Sequence, residues 1–254
     1  MDFNKLVEAS PLVGITAVAI ARHLAKSNSL ENVTGSSQLA WVKSNNKEVE
    51  ERIGDPRKSP MYDKVLAVFN SKDKIAYVEK IGDYYYNFWK DDKHIQGLLR
   101  KTTLESYKTE NPAWESVLDV DELAKVDKVT WVYKGKKVLY VGPNSTHNNT
   151  RCLISLSKGG ADAVEIREFD LLTKTFVSKE KGGFFVPECK SRVSWRDQDT
   201  IFIGTKIVED DLTDSGYPRT VRKWKRGTPL ESSTIVYEGE KSKYNLRNTF
   251  CEYD

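Results

Sequence analysis

The sequence predicts an all-β fold: a partial β-propeller of about three to four blades, each a four-stranded antiparallel sheet, behind a short helical N-terminal segment. Three observations predict it. From about Lys64 the chain breaks into short runs rich in Val, Ile, Tyr, Phe and Trp, separated by Gly, Asn, Asp and Lys. Branched and aromatic side chains suit a pleated, half-buried surface, and the separators are turn formers. A strand pattern also recurs in series, with short apolar strands around Val117, Phe176 and Val236 spaced 59 and 60 residues apart. Finally, Arg151–Ser157 (RCLISLS) and Asp199–Thr205 (DTIFIGT) are apolar at most positions rather than at alternate ones. Strands covered on both faces read that way. Four-stranded units in series make a propeller. A β-sandwich also supplies many short strands, and the regular period favours the propeller.

In chain order, residues 1–60 form the helical or irregular segment and residues 61–254 the partial propeller. Within Ser10–Ala25 the apolar run Pro11–Ile20 is about half of the ~20 residues a membrane span needs. Asp2, Lys5 and Glu8 precede it, so it lacks the positive start of a secretory signal and reads as a helix packed on the domain. Gly35–Ile53 (GSSQLAWVKSNNKEVEERI) places Leu39, Val42, Val49 and Ile53 among charges, which suggests a surface helix. The prolines of Gly54–Pro60 (GDPRKSP) then break it. Three blades follow, at about 64–120, 128–180 and 190–240. Gln96–Asp119, Ala163–Val177 and Thr220–Gly239 each run from an apolar-basic strand through a polar turn to a short apolar strand. Further strand pairs precede the last two, and Val129-x-Trp131 recurs as Val193-x-Trp195. A helical pattern reappears only around Asp119–Val126. The pair Gly159-Gly160 is read as a hairpin turn that tolerates positive φ. Leu156, Val164, Ile166 and Phe169 are then expected on one packed face of the second blade.

The 40 basic and 37 acidic residues leave a formal net charge of +3 in 254 residues. Such a balance gives no global attraction for nucleic acid or an anionic membrane. Three widely spaced cysteines, Cys152, Cys189 and Cys251, form neither a disulfide framework nor a zinc pattern and suit a reducing, cytoplasmic setting. The sequons at Asn32, Asn144 and Asn148 carry little weight without a signal peptide. His23, His94 and His147 show no metal-ligand spacing. His94, near Asp91 and Asp92, reads as part of a solvated turn. Asp162 is expected to cap the Gly159-Gly160 turn through its own backbone, and Asp170 to start the next turn. In the basic run Arg219–Gly227, Val221 is expected inward among solvated neighbours, with Trp224 packing after a one-residue slip. The acidic Glu209–Asp211 lies near enough to offset part of its charge.

Long ordered stretches resemble the prolyl oligopeptidase family of serine peptidases. Tyr84–Ala124 is similar to its first propeller blade, Arg151–Val177 to its second, and Gly182–Thr205 with Leu212–Leu230 to its third. Leu30–Asn46 (LENVTGSSQLAWVKSNN) resembles its N-terminal signature. The resemblance implies a propeller that gates entry of small peptides to an α/β-hydrolase domain carrying Ser, Asp and His. That domain's Gly-x-Ser-x-Gly elbow is absent here, and Ser36, Ser157 and Ser215 lack glycines at the required offsets. The expectation is therefore the propeller portion of such a peptidase, truncated before the hydrolase domain and inactive alone. No catalytic, cofactor-binding or metal-binding residue is assigned, and neither nucleic acid nor membrane is expected as a partner. The alternative is a stand-alone half-propeller whose exposed, apolar terminal faces pair with a second copy or with a C-terminal half.

Overall fold

The computed structural model describes residues 30, 32, 34–71, 73–140 and 150–242. It divides into two compact units that meet between Asn70 and Ser71. In the first, helix α1 spans Ser36–Ile53 and ends on Gly54, whose φ of 88° suits glycine alone. Asp55 then accepts from the Arg57 N–H to start a short 3-10 turn. Helix α2, Pro60–Asn70, follows. Strand texture was expected from residue 64, so this stretch is a correction. Met61, Val65 and Phe69 recur every four residues along one helix face, and a proline fits the first helical position, where no amide donor is needed. Neither helix contains a buried residue.

The second unit is built of three antiparallel sheets in series. The first runs β1 (Glu79–Ile81), β2 (Tyr84–Trp89), β3 (Leu98–Thr102) and β4 (Glu115–Asp119). Helix α3, Leu104–Tyr107, interrupts the β3–β4 connection. Helix α4, Val120–Asp127, leads onward and is capped by Asp119, which accepts from the N–H groups of Asp121 and Glu122. The second sheet contains β5 (Trp131–Val138), β6 (Arg151–Lys158), β7 (Val164–Asp170) and β8 (Thr175–Phe176). Strand β9, Phe185–Cys189, shares the outer edge of β7 with β8, so this sheet has five strands. The third runs β10 (Arg192–Asp197), β11 (Thr200–Gly204), β12 (Thr220–Lys225) and β13 (Thr234–Glu238). These are three blades of an open propeller, and the first strand begins at Glu79 rather than near residue 64.

Two cores hold the blades face to face. Between the first and second lie Tyr86, Leu99, Val120, Trp131, Ile154 and Phe169 among others. Between the second and third lie Leu153, Ile166, Val186, Ile201, Ile203 and Trp224. The middle blade explains the unbroken apolar run in β6. Cys152, Ile154 and Leu156 turn toward the first blade, while Leu153 turns toward the third. The register carries this split into β7, because Cys152 pairs with Phe169 and Ser155 with Ile166. The four residues expected on one face therefore divide: Leu156 and Phe169 enter the first core, and Val164 and Ile166 the second. Side chains alternate along a strand, and both faces here are covered. Fully burying one such side chain stabilises the fold by about 1.5–3 kcal/mol. Gly159 and Gly160 turn the β6–β7 hairpin at φ 60° and 87°.

Candidate functional site

The first strand of each blade sits at a sheet edge and pairs on one side only. These strands lie side by side. The Lys136 ammonium of β5 meets Glu79 of β1 at 2.5 Å. The Trp195 indole N–H of β10 donates to the Lys137 carbonyl at 2.8 Å, and β10 packs along β5. Together β1, β5 and β10 line one edge of the three blades as a wall linked by that ion pair and that hydrogen bond. The wall carries six cationic side chains, Lys80, Lys134, Lys136, Lys137, Arg192 and Arg196, against two anionic ones, Glu79 and Asp197. The fourth strands β4, β8 and β13, at the opposite edge, carry Glu115, Asp119 and Glu238 and no cation.

Ionic nodes tie the second blade to the third. Glu168 is fully buried and accepts from the Phe184 N–H at 3.0 Å, from Arg226 at 2.7 and 3.1 Å, and from Arg151 at 3.2 Å. Arg226 comes from the turn after β12 and also lies over the Phe184 ring. Asp162 was expected to cap its own turn. Instead it accepts from the Tyr217 hydroxyl at 2.5 Å and pairs with Lys190 at 3.5 Å. The neighbouring blade supplies stronger donors than the local backbone, and Tyr217 holds the carboxyl below its ordinary range.

The basic run of β12 is solvated at Lys223 and Lys225 and buried at Arg219 and Arg222. Arg219 and Arg222 are buried and matched: Arg219 pairs with Asp210 and Glu238, and Arg222 with Asp211. Burial alone would raise the Asp211 carboxyl. The N–H groups of Val208 and Ile207, with Arg222 and Thr220, outweigh that effect and hold it low. A register shift between Val221 and Arg222 supplies the expected slip, and Trp224 packs edge-on to Phe184 at 5.0 Å. A ring held in the core is not free to stack on a base.

The terminal faces differ from the apolar surfaces expected. On the first blade, Arg100 lies 4.2 Å from the Trp89 ring centre and 4.1 Å from that of Trp114. Its register partner Asn87 accepts from its Nε. Burial among these rings draws the Arg100 guanidinium down to about 10. On the third blade a groove of about 430 Å³ is lined by Arg196, Lys223, Lys225, the carboxylate of Asp197 and several hydroxyl side chains. Apolar exposure there is concentrated on the edge strand β13, at Ile235, Val236 and Tyr237.

Among the described residues the remaining candidates do not assemble into a catalytic group. His94 is partly buried rather than free in a turn: its Nδ1 lies 3.0 Å from Asp91 and its Nε2 3.8 Å from Asp119. Asp91 drops to about 2, because N–H donors from His94 and Lys93, the His94 ring and the Trp89 indole outweigh its burial. Asp170 starts its turn as expected, accepting from the N–H groups of Leu172 and Thr173. Ser36 opens α1. The buried Ser157 hydroxyl donates to the Ala161 carbonyl, and Ser215 shares a hydrogen bond with Thr213. Burial pushes the Cys152 thiol up to about 12. His23, His147, Cys251, the Ser10–Ala25 run and the sequons at Asn144 and Asn148 lie outside the described residues. Among the described residues no three His, Cys, Asp or Glu side chains could together hold a metal ion. No described helix is long and apolar enough to cross a membrane.

Comparison with known proteins agrees with this geometry. Residues 28–249 match the family described as prolyl oligopeptidase, N-terminal beta-propeller domain. An uncharacterised peptidase of Sinorhizobium fredii is 37% identical over 214 residues, which cover 84% of this chain and 28% of that protein. An uncharacterised peptidase of Rickettsia prowazekii is 34% identical over 222 residues, covering 84% of this chain and 29% of that protein. Among solved structures, a post-proline cleaving enzyme from Rickettsia typhi superposes with a TM-score of 0.71 at 31% identity, covering 85% of this chain and 31% of that one. The chain thus spans under a third of the length of these relatives.

Proposed function

Because the chain belongs to the prolyl oligopeptidase family, as its N-terminal β-propeller domain, we propose that it is the substrate-gating part of a post-proline-cleaving serine peptidase. Cleavage itself belongs to a hydrolase segment that these 254 residues do not contain. One observation carries the reading: three blades in series coincide with a family match over residues 28–249. Two features of the chain fit it. Gly-x-Ser-x-Gly, the elbow that would present a nucleophilic serine, does not occur in the sequence. The first strands converge on a single wall, which is where a passing peptide would meet the propeller.

The partner in this reading is the C-terminal portion of the same kind of enzyme. It would cover the two terminal blade faces, whose cations and hydroxyls call for polar complements more than for an apolar seal. The unpaired Cys152 and Cys189 suit the reducing cytoplasm. The experiment is an assay of the purified 254-residue chain with a proline-containing chromogenic peptide. The expected result is no release above the blank. Turnover that persists after repurification, and after a serine-hydrolase inhibitor has removed contaminants, would refute the reading.

A further inference from the structure

The wall of first strands has a charge pattern that the fold does not require. Its six cations face two carboxylates, and among the described residues its ion pairs are Lys136–Glu79 and Arg196–Asp197, the latter at 3.8 Å. Lys80, Lys134, Lys137 and Arg192 are exposed, and the Lys134 ammonium has a backbone carbonyl, that of Gly160, at 3.2 Å. Arginines drawn into the blades are matched by carboxylates, as at Arg219, Arg222 and Arg226. Leaving four exposed along one edge, while β4 and β13 at the other carry carboxylates and no cation, makes the first-strand edge the more positive one. Positive groups crowded along one wall reinforce one another and raise the local concentration of an anionic ligand.

The wall also suits an extended chain. Each first strand pairs on one side, so its other edge offers backbone N–H and C=O groups in a row. The wall's large aromatic residues are turned away into the cores: Trp131 is buried, and Tyr133 and Trp195 pack against them. A single-stranded nucleic acid would need such rings exposed for stacking. An acidic peptide needs the cations and the backbone edge alone.

We propose that this wall binds acidic, extended peptide segments, so that the propeller favours peptides bearing Asp or Glu over neutral and basic ones. The proposal rests on the gating function set out above and names its substrate class. The test is fluorescence anisotropy with the full chain and three labelled ten-residue peptides that share one proline and differ in carrying four Glu, four Gln or four Lys. At low salt the Glu peptide should bind roughly tenfold more tightly than the Gln peptide, and the preference should fade as salt screens exposed charge. The triple variant Lys134→Gln/Lys137→Gln/Arg192→Gln should abolish the preference. The triple variant Lys134→Glu/Lys137→Glu/Arg192→Glu should shift it to the Lys peptide. Lys108→Glu, away from the wall, should change nothing.

Equal binding of all three peptides overturns the charge selection and leaves the gating role standing. Absence of binding by the Glu peptide overturns the proposal, while the gating role is judged separately by turnover after joining to a hydrolase segment. A single-stranded oligothymidine that binds as tightly as the Glu peptide also overturns it, because the wall would then be a general polyanion surface.

Discussion

Glu168 is a buried anion at the junction of the second and third blades. It is fully buried, and its four hydrogen bonds come from one backbone N–H and two arginines. Replacing Glu168 with Ala leaves the Phe184 N–H without its acceptor and two guanidinium groups without a counter-charge. Removing one member of a buried ionic pair costs roughly 3–5 kcal/mol. The Arg226 and Arg151 side chains keep 20% and 35% of their exposure, so water replaces part of the loss. We therefore place Glu168→Ala at about 3 kcal/mol. For a unit of this size that lowers Tm by about 6–12 °C. Thermal unfolding followed by tryptophan fluorescence reads it directly. A double-mutant cycle of Glu168→Gln with Arg226→Met should return a coupling of about 2 kcal/mol. A loss under about 1 kcal/mol for Glu168→Ala, or additive single variants, would refute this view of the blade junction.

Further expectations concern pH, backbone and thiol chemistry. The Asp211 and Asp91 carboxyls are held below their ordinary range, Asp91 at about 2. Each contributes stability that is present above the unfolded value of about 3.9 and is lost as pH falls through the folded value. Asp211→Asn and Asp91→Asn should therefore be less stable than the parent at pH 7, with the difference shrinking below about pH 4 in acid titrations of the unfolding midpoint. At Gly97 φ is 111° and an added Cβ would meet the Phe88 ring at 2.3 Å, whereas at Gly159 nothing lies within 4 Å. Gly97→Ala should cost about 2–4 kcal/mol, from positive-φ strain plus overpacking. Gly159→Ala should cost about 1–2 kcal/mol from strain alone, both measured by denaturant titration. Cys152, fully buried with its thiol raised to about 12, should resist alkylation at pH 8 until the protein unfolds, as read by peptide mapping.

The blade series was legible because its cause is local. Strand runs, turn residues and the repeated tryptophans mark each unit, and Trp131 and Trp195 do pack into successive blade junctions. The doubly buried β6 also showed in its unbroken apolar letters. What could not be read were pairings across blades. Nothing near Asp162 in the chain points to Tyr217, 55 residues away, and nothing near Glu168 points to Arg226, 58 residues away. The Arg219–Gly227 run was legible in part: the nearby Asp210 and Asp211 do pair with Arg219 and Arg222, as the local charge balance suggests, whereas the burial of those arginines and the reach of Arg226 to Glu168 appear only in the fold. Helix α2 was missed for a different reason. Val65, Val68 and Phe69 suit either a strand or a helix, and the four-residue spacing from Met61 decides the matter only once Pro60 is read as a start rather than a break. The wall cations were each visible in the sequence. Their convergence was not, because it needs β1, β5 and β10 brought to one edge.

The most direct test joins these 254 residues to a hydrolase segment. The C-terminal end of the chain would be fused to the portion of the Rickettsia typhi post-proline cleaving enzyme that follows the superposed segment, and the product assayed with a proline-containing chromogenic peptide. The account predicts cleavage by the folded fusion and none by the 254-residue chain. Cleavage by the chain alone, or a folded fusion that binds the peptide and never cleaves it, would contradict the account.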